Sequence, residues 1–145
     1  MAVKRIPEGY HTVTPLLSVK GAGRLIDFMK KAFGATEVYR FPAPDGSVMH
    51  AEMKIGDSVV MLGEATKGAS PMPVSLYLYL DDVDKTYRAA LDAGGESVEG
   101  PADRFWGDRV ATVKDFAGNI WWIATHVEDV SSDELERRAK HAMAA

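Results

Sequence analysis

The chain has no cysteine. That excludes disulfides, thiolate metal centres and a cysteine nucleophile, and it fits a reducing, cytoplasmic compartment. No apolar run is long enough to cross a bilayer, so no membrane partner is expected. The first seven residues carry Lys4 and Arg5 but no apolar stretch of the kind a signal peptide needs. Basic residues form no block and the net charge is −4, so nucleic-acid binding by phosphate neutralisation is not expected. Gly21-Ala22-Gly23 lacks the third glycine and the context of a dinucleotide fingerprint, and no serine nucleophile elbow or phosphate loop is present. At 145 residues, with 46% hydrophobic and 26% charged, the composition is that of an ordinary soluble domain. A chain of this length buries roughly 68–70% of its unfolded surface, enough for a true core.

What is present is a repeat. The run Pro15-Leu16-Leu17-Ser18-Val19 leads into a helical stretch ending Ala32-Phe33-Gly34-Ala35, then Lys54-Ile55-Gly56-Asp57 and Ser58-Val59-Val60-Met61-Leu62. Ser75 to Leu80 opens a second pass, with a helical stretch ending Leu91-Asp92-Ala93-Gly94-Gly95, then Asp115-Phe116-Ala117-Gly118-Asn119 and Ile120-Trp121-Trp122-Ile123. Val19 to Gly34 spans 15 residues and Leu80 to Gly94 spans 14; Val19 to Gly56 spans 37 and Leu80 to Gly118 spans 38. Two similar modules must therefore pack against each other, and a ligand site between them is the first place to look for function.

The periodicity predicts β-α-β-β-β in each half. Tyr10 to Val19 reads as a strand, with Pro15 marking an edge or bulge. Leu25, Phe28, Met29, Ala32 and Phe33 mark one face of a helix that Gly34 stops, with Lys30 and Lys31 favouring its negative end. Thr36 to Phe41 is a strand. Val48 to Ile55 alternates, with Met49, Ala51, Met53 and Ile55 on one side and His50, Glu52 and Lys54 on the other. Gly56-Asp57 turns the chain into Ser58–Leu62. In the second half Val74–Leu80 is a strand, and Asp81 or Asp82 caps a helix striped by Val83, Tyr87, Ala90 and Leu91. Glu96–Val98 is a short strand, Pro101 to Asp108 a polar loop, and Arg109–Lys114 with Ile120–Thr125 the closing hairpin. Ser131-Ser132-Asp133-Glu134 reads as a capping box for a terminal helix whose stripe is Leu135, Ala139, Ala142 and Met143. The fold class is α+β: two tandem βαβββ modules forming a cupped, pseudo-symmetric mixed sheet, plus a C-terminal helix. Residues 1–127 form a single domain, with module one at 10–66, a Gly/Pro/Ser-rich linker at 67–73 and module two at 74–127. Residues 128–145 are a helical tail that packs on the body or on a partner subunit.

This organisation resembles the vicinal oxygen chelate superfamily of glyoxalases, bleomycin-resistance proteins and dioxygenases. Thr14–Val19, Lys31–Ala35, His50-Ala51-Glu52, Gly107-Asp108-Arg109 and Asp115–Trp121 look like its PhnB-like branch. The resemblance spans about Tyr10 to Val127. It implies a cup built from both modules, a small-molecule ligand and a homodimer. It also implies metal ligands in the first and last strands of each module, which fall here on Thr14, Met61, Ser75 and Trp122. An alcohol, a thioether and an indole do not serve Zn, Ni or Fe(II), which need imidazole, carboxylate or thiolate donors. No cofactor is therefore expected at those positions, although a divalent metal at a shifted site is possible.

If Thr14 and Ser75 face the cup, alternation places Leu16, Ser18, Tyr77, Tyr79, Val59, Met61, Ile120 and Trp122 there too. The opposite set is Leu17, Val19, Leu76, Leu78, Leu80, Val60, Leu62, Trp121 and Ile123. It is wholly apolar and fits under the helices. The first set mixes hydroxyls and aromatics, as small-molecule pockets do, or else it simply fills a half-wet sheet face. Thr14, Met61, Ser75, Tyr77 and Trp122 are thus ligand-binding candidates. Trp106 is a candidate for stacking and Arg109 for holding a carboxylate or phosphate; a surface Arg–Asp pair is the plain alternative. His50 and Glu52, two apart on one strand face, are the catalytic candidates as an acid–base pair or two ligands of an off-pattern metal, against a merely solvated strand face. His11 lies on the wrong parity unless a bulge shifts it, and His126 and His141 read as surface residues. The function expected is a metal-free binder of a small aromatic or carboxylate-bearing molecule. The alternative is a metal-dependent lyase, isomerase or dioxygenase centred on His50 and Glu52.

Overall fold

A computed structural model describes residues 2–144 and turns the repeat into two copies of one topology. Module one runs β1 (Leu16–Val19), α1 (Ala22–Phe33), β2 (Thr36–Pro42), β3 (Val48–Ile55) and β4 (Ser58–Glu64). Module two runs β5 (Ser75–Tyr79), α2 (Val83–Asp92), β6 (Glu96–Asp103), β7 (Asp108–Lys114) and β8 (Ile120–His126), and α3 (Ser132–Ala144) comes last. The strands form two four-stranded sheets of identical order, β1-β4-β3-β2 and β5-β8-β7-β6. In each, the first strand pairs parallel to the last and the other pairs are antiparallel. The α+β class with tandem modules and a terminal helix is as the sequence predicts.

The local chemistry explains the elements. Gly34 sits in the left-handed region at φ 65, where a side chain would be strained, and its N–H closes α1 on the carbonyl of Lys30. At the other end of α1, the Glu64 carboxylate accepts the N–H groups of Gly21 (2.9 Å) and Ala22 (3.0 Å). A negative charge there satisfies free amide donors and suits the helix dipole. Asp82 caps α2 by accepting the Lys85 N–H at 3.1 Å. The turn Asp115–Asn119 is held by side chains. Asp115 accepts from the Asn119 side-chain amide and from the Trp121 indole, while Asn119 accepts the Val74 N–H. That motif therefore builds the β7–β8 turn and ties it to the start of β5.

One core serves both modules. Leu17, Ile26, Met29, Leu62, Trp121 and Ile123 are fully buried in a single cluster. Phe28 and Phe33 of α1 bring their rings to 6.4 and 4.9 Å from that of Trp121 in module two. Of the apolar face predicted to lie under the helices, Leu17, Val19, Val60, Leu62, Trp121 and Ile123 are buried in this cluster, while Leu76, Leu78 and Leu80 are partly buried and pack against it.

Four expectations need correction. The first strand starts at Leu16, not near Tyr10, because Pro15 has no N–H to give and the Thr14 hydroxyl folds back onto the His11 carbonyl. Met49 is exposed while Val48 is buried, because Phe41 pairs with His50 but Pro42 with Val48, leaving Met49 as the extra residue of a bulge. β6 extends to Asp103, through what reads as loop; a register shift between Glu99 and Ala102 takes Gly100-Pro101 out of the ladder. The α3 cap is half a capping box. The Ser131 hydroxyl accepts the Glu134 N–H, whereas the Glu134 carboxylate turns to Arg137 and Arg138. No residue of α3 is buried, and Arg138 anchors it through Glu128 and the Phe105 carbonyl.

Candidate functional site

Each sheet keeps one face for the helices and leaves the other open, and the ladders say which side chains share the open face. In module two the row Tyr77–Trp122–Thr112 crosses β5, β8 and β7, flanked by Ser75–Ile120–Lys114 and Tyr79–Ala124–Val110. Asp108 and His126 face each other at the end of the same ladder. Tyr77 and Trp122 stack, with centroids 6.1 Å apart at 20°, and Tyr79 lies 5.3 Å from Tyr77.

Behind these rings sits a buried carboxylate. Asp108 is 1% exposed. It accepts the hydroxyls of Tyr77 (2.6 Å) and Tyr79 (3.2 Å), and its other oxygen is 2.8 Å from His126 Nδ1. His126 Nε2 reaches Asp129 at 2.8 Å. Burial pushes the Asp108 carboxyl up, but the hydrogen bonds from Tyr77, His126 and Tyr79 outweigh it, so the net shift is downward and the group is ionised. The Tyr77 phenol is pushed up to about 12, first by burial and then by its bond to Asp108. Hydrogen bonds to Asp108 and then Asp129 raise His126. The Trp106 indole donates to the Tyr77 oxygen at 3.0 Å, which closes one side of the cluster. Gly107 holds that turn at φ +98, with its carbonyl accepting from Val127 and Glu128; a Cβ there would collide with the Glu128 carbonyl.

Module one arranges its open face differently. Glu52 lies beside Met61, which in turn lies beside Leu16. The Glu52 carboxylate accepts the hydroxyl of Tyr10, a residue of the segment that precedes β1, and its second oxygen is 2.8 Å from His50 Nε2. The Tyr10 bond lowers Glu52 most, burial opposes it, and His50 adds to the lowering. Arg5, Ile6, Pro7 and Thr14 line the shallow hollow over Glu52 and Met61.

The predicted residues therefore divide. Ser75, Tyr77, Trp106 and Trp122 come together on module two, and His50, Glu52, Thr14 and Met61 on module one. Thr14 and Tyr77 also meet across a cavity between the modules, which His11 and Val59 help to line. Arg109 joins neither group. It pairs with Thr125, on the helix side of the sheet, and its guanidinium is held by Asp84 of α2 (2.9 Å) and by Asp103 (3.2 Å). Asp108, Tyr79 and Tyr10 are not among the sequence-predicted site residues, and His126, which reads as a surface residue, belongs to the cluster.

The donor chemistry can be set against a metal. Trp122 donates its indole N–H to the Ser75 hydroxyl at 3.0 Å, so two of the four ligand positions implied by the resemblance bond to each other. Thr14 is turned to the His11 carbonyl and Met61 offers a thioether. That set does not fit a divalent metal. Among the described residues, no three His, Cys, Asp or Glu side chains converge as a metal site requires, so His50 and Glu52 lack a third such donor.

A two-module α+β cup with one open face per module is the architecture of a small-molecule-binding superfamily. A model of the Glyoxalase/Bleomycin resistance protein/Dioxygenase superfamily matches residues 10–123, and the chain belongs to that superfamily. An uncharacterised protein of Mycobacterium bovis is 36% identical over 135 residues, covering 86% of this chain and 89% of the relative. A Mycobacterium tuberculosis protein, also uncharacterised, is 36% identical over 86% of this chain and 79% of its own. Among solved structures, TioX from Micromonospora sp. ML1 superimposes with a TM-score of 0.69 at 24% identity, covering 81% of this chain and 99% of TioX. A glyoxalase/bleomycin resistance protein/dioxygenase from Nocardioides gives 0.61 at 19% identity over 90% of each chain. These likenesses to solved structures show a shared fold.

Proposed function

We propose that this protein binds a small organic molecule against the aromatic face of module two, without the metal that the superfamily commonly uses. The observation that carries this reading is the stacked Tyr77–Trp122 pair, held rigid by the Ser75, Asp108 and Trp106 hydrogen bonds. Preorganised aromatic walls with a few fixed polar groups are what a ligand pocket needs. The placement of Arg109 removes the support for a carboxylate-bearing ligand, while the support for an aromatic or apolar one stands. Lys31–Ala35 and Asp115–Trp121 support a place in the PhnB-like branch. The protein works as a cytoplasmic homodimer. Supporting dimerisation, all seven residues of edge strand β2 are exposed, among them the apolar Val38, Tyr39 and Phe41, and the bulged Met49 of β3 is exposed as well. Sedimentation equilibrium giving a monomer at micromolar concentration would remove that element.

The binding reading is tested by thermal shift and tryptophan fluorescence across a panel of aromatic acids, amines, neutral aromatics and antibiotics. Saturable quenching that disappears in Trp122→Ala supports it; no response from any compound refutes it. A second reading, an enzyme using His50 and Glu52, is favoured by their 2.8 Å contact and the Tyr10 bond to the same carboxylate. Stoichiometric Ni, Zn, Mn or Fe in protein purified without chelator, lost in His50→Ala, would establish the metal-dependent form of that reading and overturn the metal-free one.

A further inference from the structure

The charge around the aromatic face is mainly negative, and it narrows the ligand class of the binding site proposed for module two, on which this inference rests. Asp108 is buried directly behind both the Tyr77 and Tyr79 hydroxyls. Asp129 lies on the far side of His126, so even a protonated His126 stands between two carboxylates and leaves the group net negative. An open cleft of about 390 Å³ runs along the free edge of β5, lined by Tyr77, Tyr79, Leu80, Ile55 and Asp57; Asp57 is its one charged side chain among the described residues. The two nearby arginines are committed elsewhere. Arg109 is held on the helix side by Asp84 and Asp103 and Arg104 pairs with Glu99 at 2.8 Å, while Lys114 shares the sheet face two rows from Tyr79 and does not line the cleft.

We propose that this cleft takes an organic cation, an alkylated or aryl-bearing ammonium, seated against Tyr77 and Tyr79, with Trp122 stacked on Tyr77 from the neighbouring strand, Asp108 behind the ring hydroxyls and Asp57 in the cleft wall. The ring faces carry negative quadrupole, and an aromatic wall attracts a cation most where water is excluded. A carboxylate partly screened behind phenol hydroxyls adds long-range attraction without forming a contact ion pair, and so favours a diffuse charge such as a quaternary ammonium. The same field repels an anion. The site thus discriminates by charge as well as by shape.

The experiment is a fluorescence titration of the full chain at low ionic strength with three probes of similar size: benzyltrimethylammonium, benzyl alcohol and benzoate. The expected result is saturable binding of benzyltrimethylammonium at least tenfold tighter than either other probe, weakening as salt rises. Asp57→Asn, an exposed substitution with little folding risk, weakens the cation about threefold, and Asp108→Asn, where it folds, about tenfold. Benzyl alcohol or benzoate binding as tightly as the cation overturns the proposal while leaving an aromatic site intact. Unchanged cation affinity in Asp57→Asn, Asp108→Asn and Tyr79→Leu overturns the location. Saturation by none of the three, together with a silent wider panel, overturns both this proposal and the binding reading beneath it.

Discussion

The two open faces begin from the same geometry and end as different chemistry. Met61 and Trp122 hold equivalent places in β4 and β8, and each has a first-strand residue, Leu16 or Tyr77, directly beside it. On module two that frame carries four aromatic rings and a carboxylate buried to 1% exposure, every oxygen of which is bonded from within the module. On module one it carries a thioether, and its carboxylate, Glu52, depends on Tyr10, which lies 42 residues away in a segment outside the sheet. The position equivalent to Glu52 in module two is Thr112, beside Trp122 as Glu52 is beside Met61. A duplicated scaffold fixes where side chains point and leaves their identity free. One face has become a rigid aromatic wall, and the other a mixed hollow with one carboxylate, lined by the N-terminal segment.

The largest effect separates the two sides of one strand. Trp121 is fully buried against Phe28 and Phe33, whereas its neighbour Trp122 lies on the open face. Trp121→Ala should cost about 3–5 kcal/mol in urea unfolding, because a large cavity opens in a core shared by both modules. Trp122→Ala should cost under about 1 kcal/mol yet remove ligand-dependent quenching. Equal losses from both would mean that the open face is structural. The next effect separates the two carboxylates. Asp108→Ala strands two phenols and His126 and should cost about 2–3 kcal/mol, since bonds to a buried charge are strong and the partners lose their acceptor together. Glu52→Ala should cost about 1 kcal/mol or less, because His50 is one-third exposed and water replaces the lost bond. If the Glu52 loss matches the Asp108 loss, the hollow of module one is as preorganised as the wall of module two, and His50 gains weight as a catalytic group.

The fold was legible because its signals are local and repeated: helical stripes ended by Gly34 and Gly94, two-fold alternation in the strands, and an equal spacing of both in each half. Boundaries slipped where a single residue breaks the period, at Pro15, at the Met49 bulge and at Gly100-Pro101, because a bulge flips the facing of the later strand residues without changing composition. The site was half legible. The Tyr77–Trp122 row emerges from aligning the repeat. Asp108 and His126 were also within reach, since counting the closing hairpin outward from Lys114 and Ile120 brings them opposite each other on the Trp122 face. The same count puts Arg109 beside Thr125 on the helix side, which rules it out of the aromatic face. Tyr10 had no such signal. It reaches Glu52 through the path of an irregular segment, and nothing in the local sequence encodes that path.

The smallest effect concerns the proton on His126, and its sign is set by the two carboxylates. Asp108 and then Asp129 raise the imidazole above its ordinary value near 6.5, while burial pulls weakly the other way. A raised folded-state pKa means that the protonated form is favoured by folding. The stabilisation is therefore complete below about pH 6.5 and is lost as pH rises through the higher folded value. Asp108 has the opposite sense. Its lowered carboxyl stabilises the fold above the unfolded value of about 3.9, and that contribution is lost as pH falls through the folded one. Between these limits the module-two cluster holds its full set of charges. Because half of the His126 side chain meets solvent, the loss on the alkaline side is shallow and screened by salt. Proton-detected NMR titration of the His126 ring should give a pKa above 6.5 that drops in both Asp129→Asn and Asp108→Asn, with the larger drop in the second. A drop in Asp129→Asn alone would mean that the buried carboxylate gives its charge to the tyrosines and not to the histidine. The aromatic wall would then be backed by a more strongly negative group than the geometry implies.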